Sequence, residues 1–198
     1  MIAIVDYGMG NRRSVEKALE HVGAEAVITR SREQILRADG VVLPGVGAFP
    51  RAMRNLRELG LDDVLRAYEG PLLGICLGMQ LLFESSTEHE GAAGLGLLGG
   101  VVTYLDGERL PHIGWNFVTL RRPSRLIADG AAFYHVHSLA CRPADEADVV
   151  GTAEYGETFA TIVERGRIFG VQFHPEKSSR DGLALLRGFA SVCAGVAA

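Results

Sequence analysis

Through the first half of the chain, short apolar runs alternate with amphipathic stretches. "MIAIVDY" reads as a strand reaching Asp6, and "NRRSVEKALEHVG" then sets Val15, Leu19 and Val22 at helical spacing before Gly23 stops it. "AEAVITR" and "GVVLPG" read as further strands on either side of the charged helical stretch "SREQILRAD". Residues 49–68 read as helical, "GPLLGIC" as a strand, and Leu77 to Glu84 as a helix again. Strands alternating with helices predict a mostly parallel sheet covered on both faces, an α/β fold.

After about Gly94 the period shortens. "GVVTYLD", "GWNFVTLRR", "AAFYHVHSLA", "DVVGTAEY", "TFATIVERG" and "RIFGVQF" are closely spaced strands, expected to add to the sheet in antiparallel fashion. Ser178 or Ser179 is placed to cap a final helix, "RDGLALLRGFASVC". No repeat, linker or low-complexity segment interrupts the pattern, so one domain over residues 1–198 is expected.

Composition narrows the function classes. With 198 residues, 47% of them hydrophobic and 22% charged, the chain is long enough for a sizeable core and is neither disordered nor collagenous. A net charge of −4 offers no basic footprint for nucleic acid and no polybasic membrane anchor. The N-terminus lacks the basic region of a signal peptide, and no apolar run approaches the roughly 18 residues of a membrane helix. The richest stretch, "GLGLLGGVV", is broken by glycines. Cys76, Cys141 and Cys193 cannot pair evenly and lack zinc-type spacing, which points to a reducing, cytoplasmic setting. "DYGMGNRRS" fails as a dinucleotide fingerprint because the third glycine position is Arg13, and no GxxxxGK[ST] loop exists. Neither a cofactor nor a metal is expected.

"GICLGMQLLFE" places Cys76 between Gly74 and Gly78 where a strand gives way to a helix. A tight glycine-flanked corner is how a nucleophile elbow is built. A helix N-terminus favours a reactive thiolate, and the backbone N–H groups of Leu77 and Gly78 stand where an oxyanion would form. Gln80 falls one turn further on the same face. By itself the segment fits a buried structural cysteine equally well, since free cysteines are among the most buried residues.

"GVQFHPEKS" tips that balance. Pro175 biases His174 to an extended conformation, in which His174 and Glu176 would project from one face, a base with its orienting carboxylate. A His-Pro-Glu alone reads as a surface turn; together with the elbow it predicts acyl transfer through a thioester. "LPGVGAF" follows the third strand, and Val46 between Gly45 and Gly47 makes it a second source of an oxyanion donor, or an ordinary turn. His135 and His137 share a strand face with no third ligand at metal spacing, and read as strand histidines; His21, His89 and His112 carry no assignment.

In order along nearly the whole chain, "PGVG", "GICLGMQ" and "HPE" resemble the oxyanion strand, nucleophile elbow and histidine–glutamate pair of the class I (triad) glutamine amidotransferases. "VDYGMGN", "HIGWN", "FYHVHS" and "HPEKS" narrow the resemblance to the branch serving histidine biosynthesis. The resemblance implies a flavodoxin-like, three-layer α/β/α sandwich that hydrolyses L-glutamine to glutamate and ammonia. It further implies a heterodimer with a (β/α)₈-barrel cyclase subunit that consumes the ammonia. By motif position Cys76 resembles the nucleophile, His174 the base and Glu176 its orienter. Gln80, Glu88, the backbone of Val46 and Gly47, Ser138 and the backbone of Leu139 would hold glutamine. Asn11, Trp115, Asn116, Tyr134 and Lys177 resemble a partner-facing surface.

Three positions depart from the family pattern: Arg12 stands where leucine is expected, His135 for phenylalanine and Leu139 for tyrosine. The first two bear on the partner surface. Sister glutaminases of anthranilate, aminodeoxychorismate or guanylate synthesis share the triad. The anthranilate relative usually reads "GHQ" where this chain has "GMQ", and the guanylate relative, which can read "GMQ", usually carries further domains where a single one is expected here. A non-catalytic α/β protein with an oxidisable elbow cysteine is the remaining alternative; it would have no need of "HPE".

Overall fold

The computed structural model describes residues 1–107 and 109–195. Its first part alternates as the pattern predicts: β1 (Ile2–Val5), α1 (Arg12–His21), β2 (Ala26–Thr29), α2 (Arg32–Arg37), β3 (Gly40–Gly45), α3 (Phe49–Glu58), α4 (Leu61–Ala67), β4 (Leu72–Cys76) and α5 (Leu77–Leu81). Two-residue strands β5 (Ser85–Ser86) and β6 (Ala92–Ala93) follow, then β7 (Gly100–Tyr104), β8 (His112–Phe117) and β9 (Thr119–Leu120). The remainder comprises β10 (Ala132–His137), β11 (Leu139–Pro143), β12 (Val149–Tyr155), β13 (Glu157–Arg165), β14 (Ile168–Val171) and α6 (Ser179–Cys193).

The parallel core runs β2-β1-β3-β4-β14, the flavodoxin-like order, and continues through β13, β11 and β7 to β5 and β6. β13 pairs antiparallel with β14, β11 and β12, as the shortened period predicts. Alternate residues of the parallel strands enter opposite cores. Ala3, Val5, Val41 and Leu43 meet Ile35, Phe49, Met53 and Leu65, whereas Ile2, Ile4, Val42 and Leu73 meet Leu19, Leu185 and Phe189. This is the three-layer sandwich, with both sheet faces covered.

Four details differ from the periodicity. The helix over 49–68 breaks at Gly60, whose φ of 62° is a left-handed conformation that glycine adopts without strain. The helix from Leu77 stops at Leu81, where Leu82 begins a turn whose backbone amides bond back to Met79 and Gln80. "AAFYHVHSLA" divides at Ser138, because β10 leaves the sheet to pair with β8 as a separate antiparallel ribbon, while β11 joins β7. Ser178 stands at the start of α6 without capping it: its hydroxyl donates to His174 O (2.6 Å) and accepts from Tyr134 N–H (3.0 Å), tying the ribbon to the turn after β14.

Register fixes what meets at the carboxyl edge. Gly45 pairs with Cys76 across β3 and β4, and Val171 of β14 pairs with Ile75. The loop after β3, the corner after β4 and the turn after β14 therefore emerge side by side, where open α/β sheets hold ligands.

Candidate active site

β4 passes directly into α5 at Cys76, whose φ of 53° and ψ of −111° are rare for a residue with a side chain. Such strain persists only where packing enforces it. Here the glycines permit it: a Cβ on Gly78 would overlap the Leu43 carbonyl, and one on Gly74 would lie 2.6 Å from Gly78 O. The N–H groups of Leu77 and Gly78 sit in the first turn of α5, where no carbonyl four residues earlier is available. Cys76 Sγ lies 3.8 Å from Val136 O and 3.7 Å from Gln172 Nε2.

His174 approaches from β14. Its backbone N–H donates to Tyr134 O (3.0 Å), and ring Nδ1 lies 2.9 Å from Glu176 Oε1. His174 itself is extended, as Pro175 requires, but the chain does not stay extended after it: Pro175–Lys177 forms a 3₁₀ turn, and that turn folds the Glu176 carboxylate onto the ring. A carboxylate accepts, so Nδ1 carries the proton and Nε2 is left to the cleft. Burial pulls the imidazole pKa down, but hydrogen bonding with Cys76 and Glu176, and their charges, outweigh it and raise the value to about 10. The ring is thereby set to hold a proton beside Cys76.

The loop after β3 is held at both ends. Tyr7 donates its hydroxyl to Pro44 O (2.7 Å), and Phe49 N–H donates to Glu88 Oε2 (2.6 Å). Between these anchors Val46 is 43% exposed and Gly47 has a φ of 106°.

These elements enclose a cleft of about 390 Å³. Its wall brings together Cys76, His174, Leu77, Gln80, Val46 and Gly47, and also Glu88, Ser138, Leu139 and Lys177. Gly78 is behind the wall, packed on Leu43. Gln80 Nε2 donates to Leu139 O (3.3 Å) and Gln172 Oε1 (3.2 Å), so both amide protons are used and only Oε1 remains for a ligand.

On the β8–β10 ribbon Trp115 lies opposite Tyr134, with ring centroids 6.1 Å apart. Alternation puts Ile113 (60% exposed) and Phe117 (72%) beside the expected Trp115 (56%) on the outer face, so that one apolar stripe runs along "HIGWNF" with its period of two; Ile113 and Phe117 were not expected from the motif. Asn116 projects from the opposite face and donates to Glu154 O (2.9 Å). Asn11 precedes α1 without capping it, and Lys177 is exposed at the cleft rim.

His135 corrects an expectation: it is a core residue and not part of the partner surface. It is fully buried, with Nε2 2.9 Å from Thr161 Oγ1 and Nδ1 3.1 Å from Phe133 O. Arg12 is drawn into an ion pair with Asp6, which also holds Arg30 at 2.7 Å. Gln172 was also missed, although it stands two residues before His174 in a strand ending and so shares its side.

Among known families, the description "Glutamine amidotransferase class-I" matches residues 3–191. The chain belongs to the class-I glutamine amidotransferase family. It is 53% identical to the imidazole glycerol phosphate synthase subunit HisH of Moorella thermoacetica, over 95% of this chain and 93% of that one. It is 50% identical to the protein of the same name from Bacillus cereus (strain G9842), over 97% and 95%. In fold it is similar to a crystal structure of a glutamine amidotransferase (TM-score 0.78, 22% identity, 98% of this chain and 100% of that one). A putative GMP synthase subunit from Thermoplasma acidophilum is also similar (TM-score 0.73, 19% identity, 98% and 94%).

Proposed function

We propose that this chain, as a single domain, is the glutaminase subunit of an imidazole glycerol phosphate synthase. It hydrolyses L-glutamine to glutamate and ammonia and passes the ammonia to a cyclase partner in histidine biosynthesis. The observation that carries the reading is the His174–Glu176 pair at 2.9 Å in one cleft with a cysteine on a strained elbow. The Cys76 thiolate attacks the side-chain amide carbon of glutamine. The oxyanion is met by backbone N–H groups of Leu77 at the start of α5 and of the Val46–Gly47 loop. The His174 imidazolium gives its proton to the departing nitrogen, ammonia leaves and a thioester remains. Neutral His174 then takes a proton from water, hydroxide adds to the thioester, and glutamate departs as the C–S bonding pair returns to sulfur. Glu88, Gln80, Ser138 and Leu139 hold the substrate's other end.

The partner of this reading is a (β/α)₈-barrel cyclase, bound as a heterodimer. Ile113, Trp115 and Phe117 supply an apolar stripe for it, with Tyr134, Asn11 and Lys177 contributing polar groups, while Asn116 braces the ribbon from its other face. A cytoplasmic setting agrees with Cys76, Cys141 and Cys193, all free thiols. No helix among the described residues is long and apolar enough to cross a membrane. Co-expression with a histidine-pathway cyclase tests the pairing. The expected outcome is a stoichiometric complex that Trp115→Ala weakens at least about tenfold, the loss of an aromatic interface anchor. No complex, or equal affinity, would contradict it.

A further inference from the structure

Gln172 follows the last residue of β14, is fully buried, and has no assigned part in the reaction above. Its backbone N–H donates to Thr161 O (2.9 Å), fixing the chain at the point where it turns towards His174. The side chain bridges two cleft residues: Oε1 accepts from Gln80 Nε2 (3.2 Å) and Nε2 faces Cys76 Sγ (3.7 Å).

The direction of this bridge is set from its far end. Leu139 O is a backbone carbonyl and can only accept. It takes Gln80 Nε2–H (3.3 Å) on one side and His137 Nδ1–H (2.8 Å) on the other. Turning the Gln80 amide over would set its oxygen against Leu139 O, so its nitrogen stays and its second proton goes to Gln172. Gln172 must meet that proton with its oxygen, which leaves its own N–H₂ group for the sulfur. With Nδ1 of His137 a donor, its Nε2 accepts from His112 Nδ1 (3.2 Å), and the ordered chain extends to the base of the ribbon.

We infer that Gln172 is a catalytic residue of the glutaminase reaction, donating its Nε2–H to the Cys76 sulfur whenever that sulfur carries charge. The inference rests on Cys76 being the nucleophile. A hydrogen bond to an ionised acceptor is roughly twice as strong as one between neutral groups, so the donor favours thiolate over thiol before attack. It acts again at the end, when the C–S bond breaks and the electron pair returns to sulfur. The backbone oxyanion donors cannot do this, because they address the substrate oxygen. Gln80 couples the two functions: the same side chain that offers Oε1 to a ligand holds Gln172 in its donating orientation.

The test uses Gln172→Met, which keeps length and volume but removes the donor, and Gln172→Glu, which keeps shape and turns an acceptor on the sulfur. Iodoacetamide alkylation of Cys76 is followed at pH 7 by peptide mass, with thermal unfolding and glutamine kinetics of the full chain bound to its cyclase. Loss of a hydrogen bond to a charged group predicts alkylation about tenfold slower in the Met variant and slower still in the Glu variant. kcat should fall in parallel, with KM for glutamine within about twofold of the parent. If either variant folds and both alkylation and kcat stay within about twofold of the parent, the inference is overturned. A lowered melting temperature with unchanged or faster alkylation would also overturn it, by assigning Gln172 to packing alone. Glutamine hydrolysis surviving in Cys76→Ala would instead remove the nucleophile assignment, a separate failure.

Discussion

His112, His135 and His137 crowd together beside the cleft, which His137 helps to line, with ring centroids 5.1 to 5.5 Å apart. Burial, then the neighbouring His137 charge, lowers the His135 pKa from 6.5 to about 3; burial lowers His137 to about 4. Thr161 faces the group with its hydroxyl, Tyr155, Phe159 and Phe173 with their rings, and protonated His174 adds repulsion. These are bases with depressed values, so below 6.5 the unfolded chain binds protons that the folded chain refuses. Stability should therefore be fully present above about pH 6.5 and drain away as pH falls towards 4. His135→Phe removes one of these titrations, and the melting temperature should decline less steeply between pH 7 and pH 5. At pH 7 the same variant should lose roughly 1 kcal/mol as Thr161 is left without its partner. An acid limb as steep as the parent's would contradict the account of His135.

At the scale of elements, the elbow depends on two glycines that let α5 start against β3. Gly78→Ala drives a methyl into the Leu43 carbonyl, which backbone on both sides prevents from yielding. Overpacking typically costs about 1–3 kcal/mol, and with rigid backbone as the obstacle the upper end is expected, so urea unfolding should show a clear loss of stability together with loss of activity; a midpoint near the parent's would contradict the packing account. The alternation of strand and helix was legible because β1, β3 and β4 are continuous apolar runs while α1 is amphipathic. What the periodicity hid is decided by tertiary partners. Nothing local in "FYHVHSLA" says that β10 pairs with β8 and β11 with β7, since both halves have strand period and the switch falls on one residue, Ser138. Nor does "HPE" announce a 3₁₀ turn, although the carboxylate reaches the ring through it.

Over the whole molecule, the sequence-read members of the site lie far apart in the chain and meet because three parallel strands end together. Val46, Cys76 and His174 were each legible from local chemistry: a glycine pair, a glycine-flanked thiol and a base with its carboxylate. Gln172 and the Tyr7–Pro44 and Glu88–Phe49 anchors were not, because each is defined by a partner at least 37 residues distant. The convergence makes one claim central: glutamine chemistry runs through Cys76, and ammonia is what leaves for the partner. The most direct measurement takes Cys76→Ala in complex with the cyclase and compares cyclase turnover on glutamine with turnover on ammonium salts. The account predicts no glutamate release and no glutamine-dependent turnover, with ammonium-dependent turnover close to that of the parent complex. Glutamate release at the parent rate, or loss of the ammonium-dependent reaction in a complex that still assembles, would contradict it.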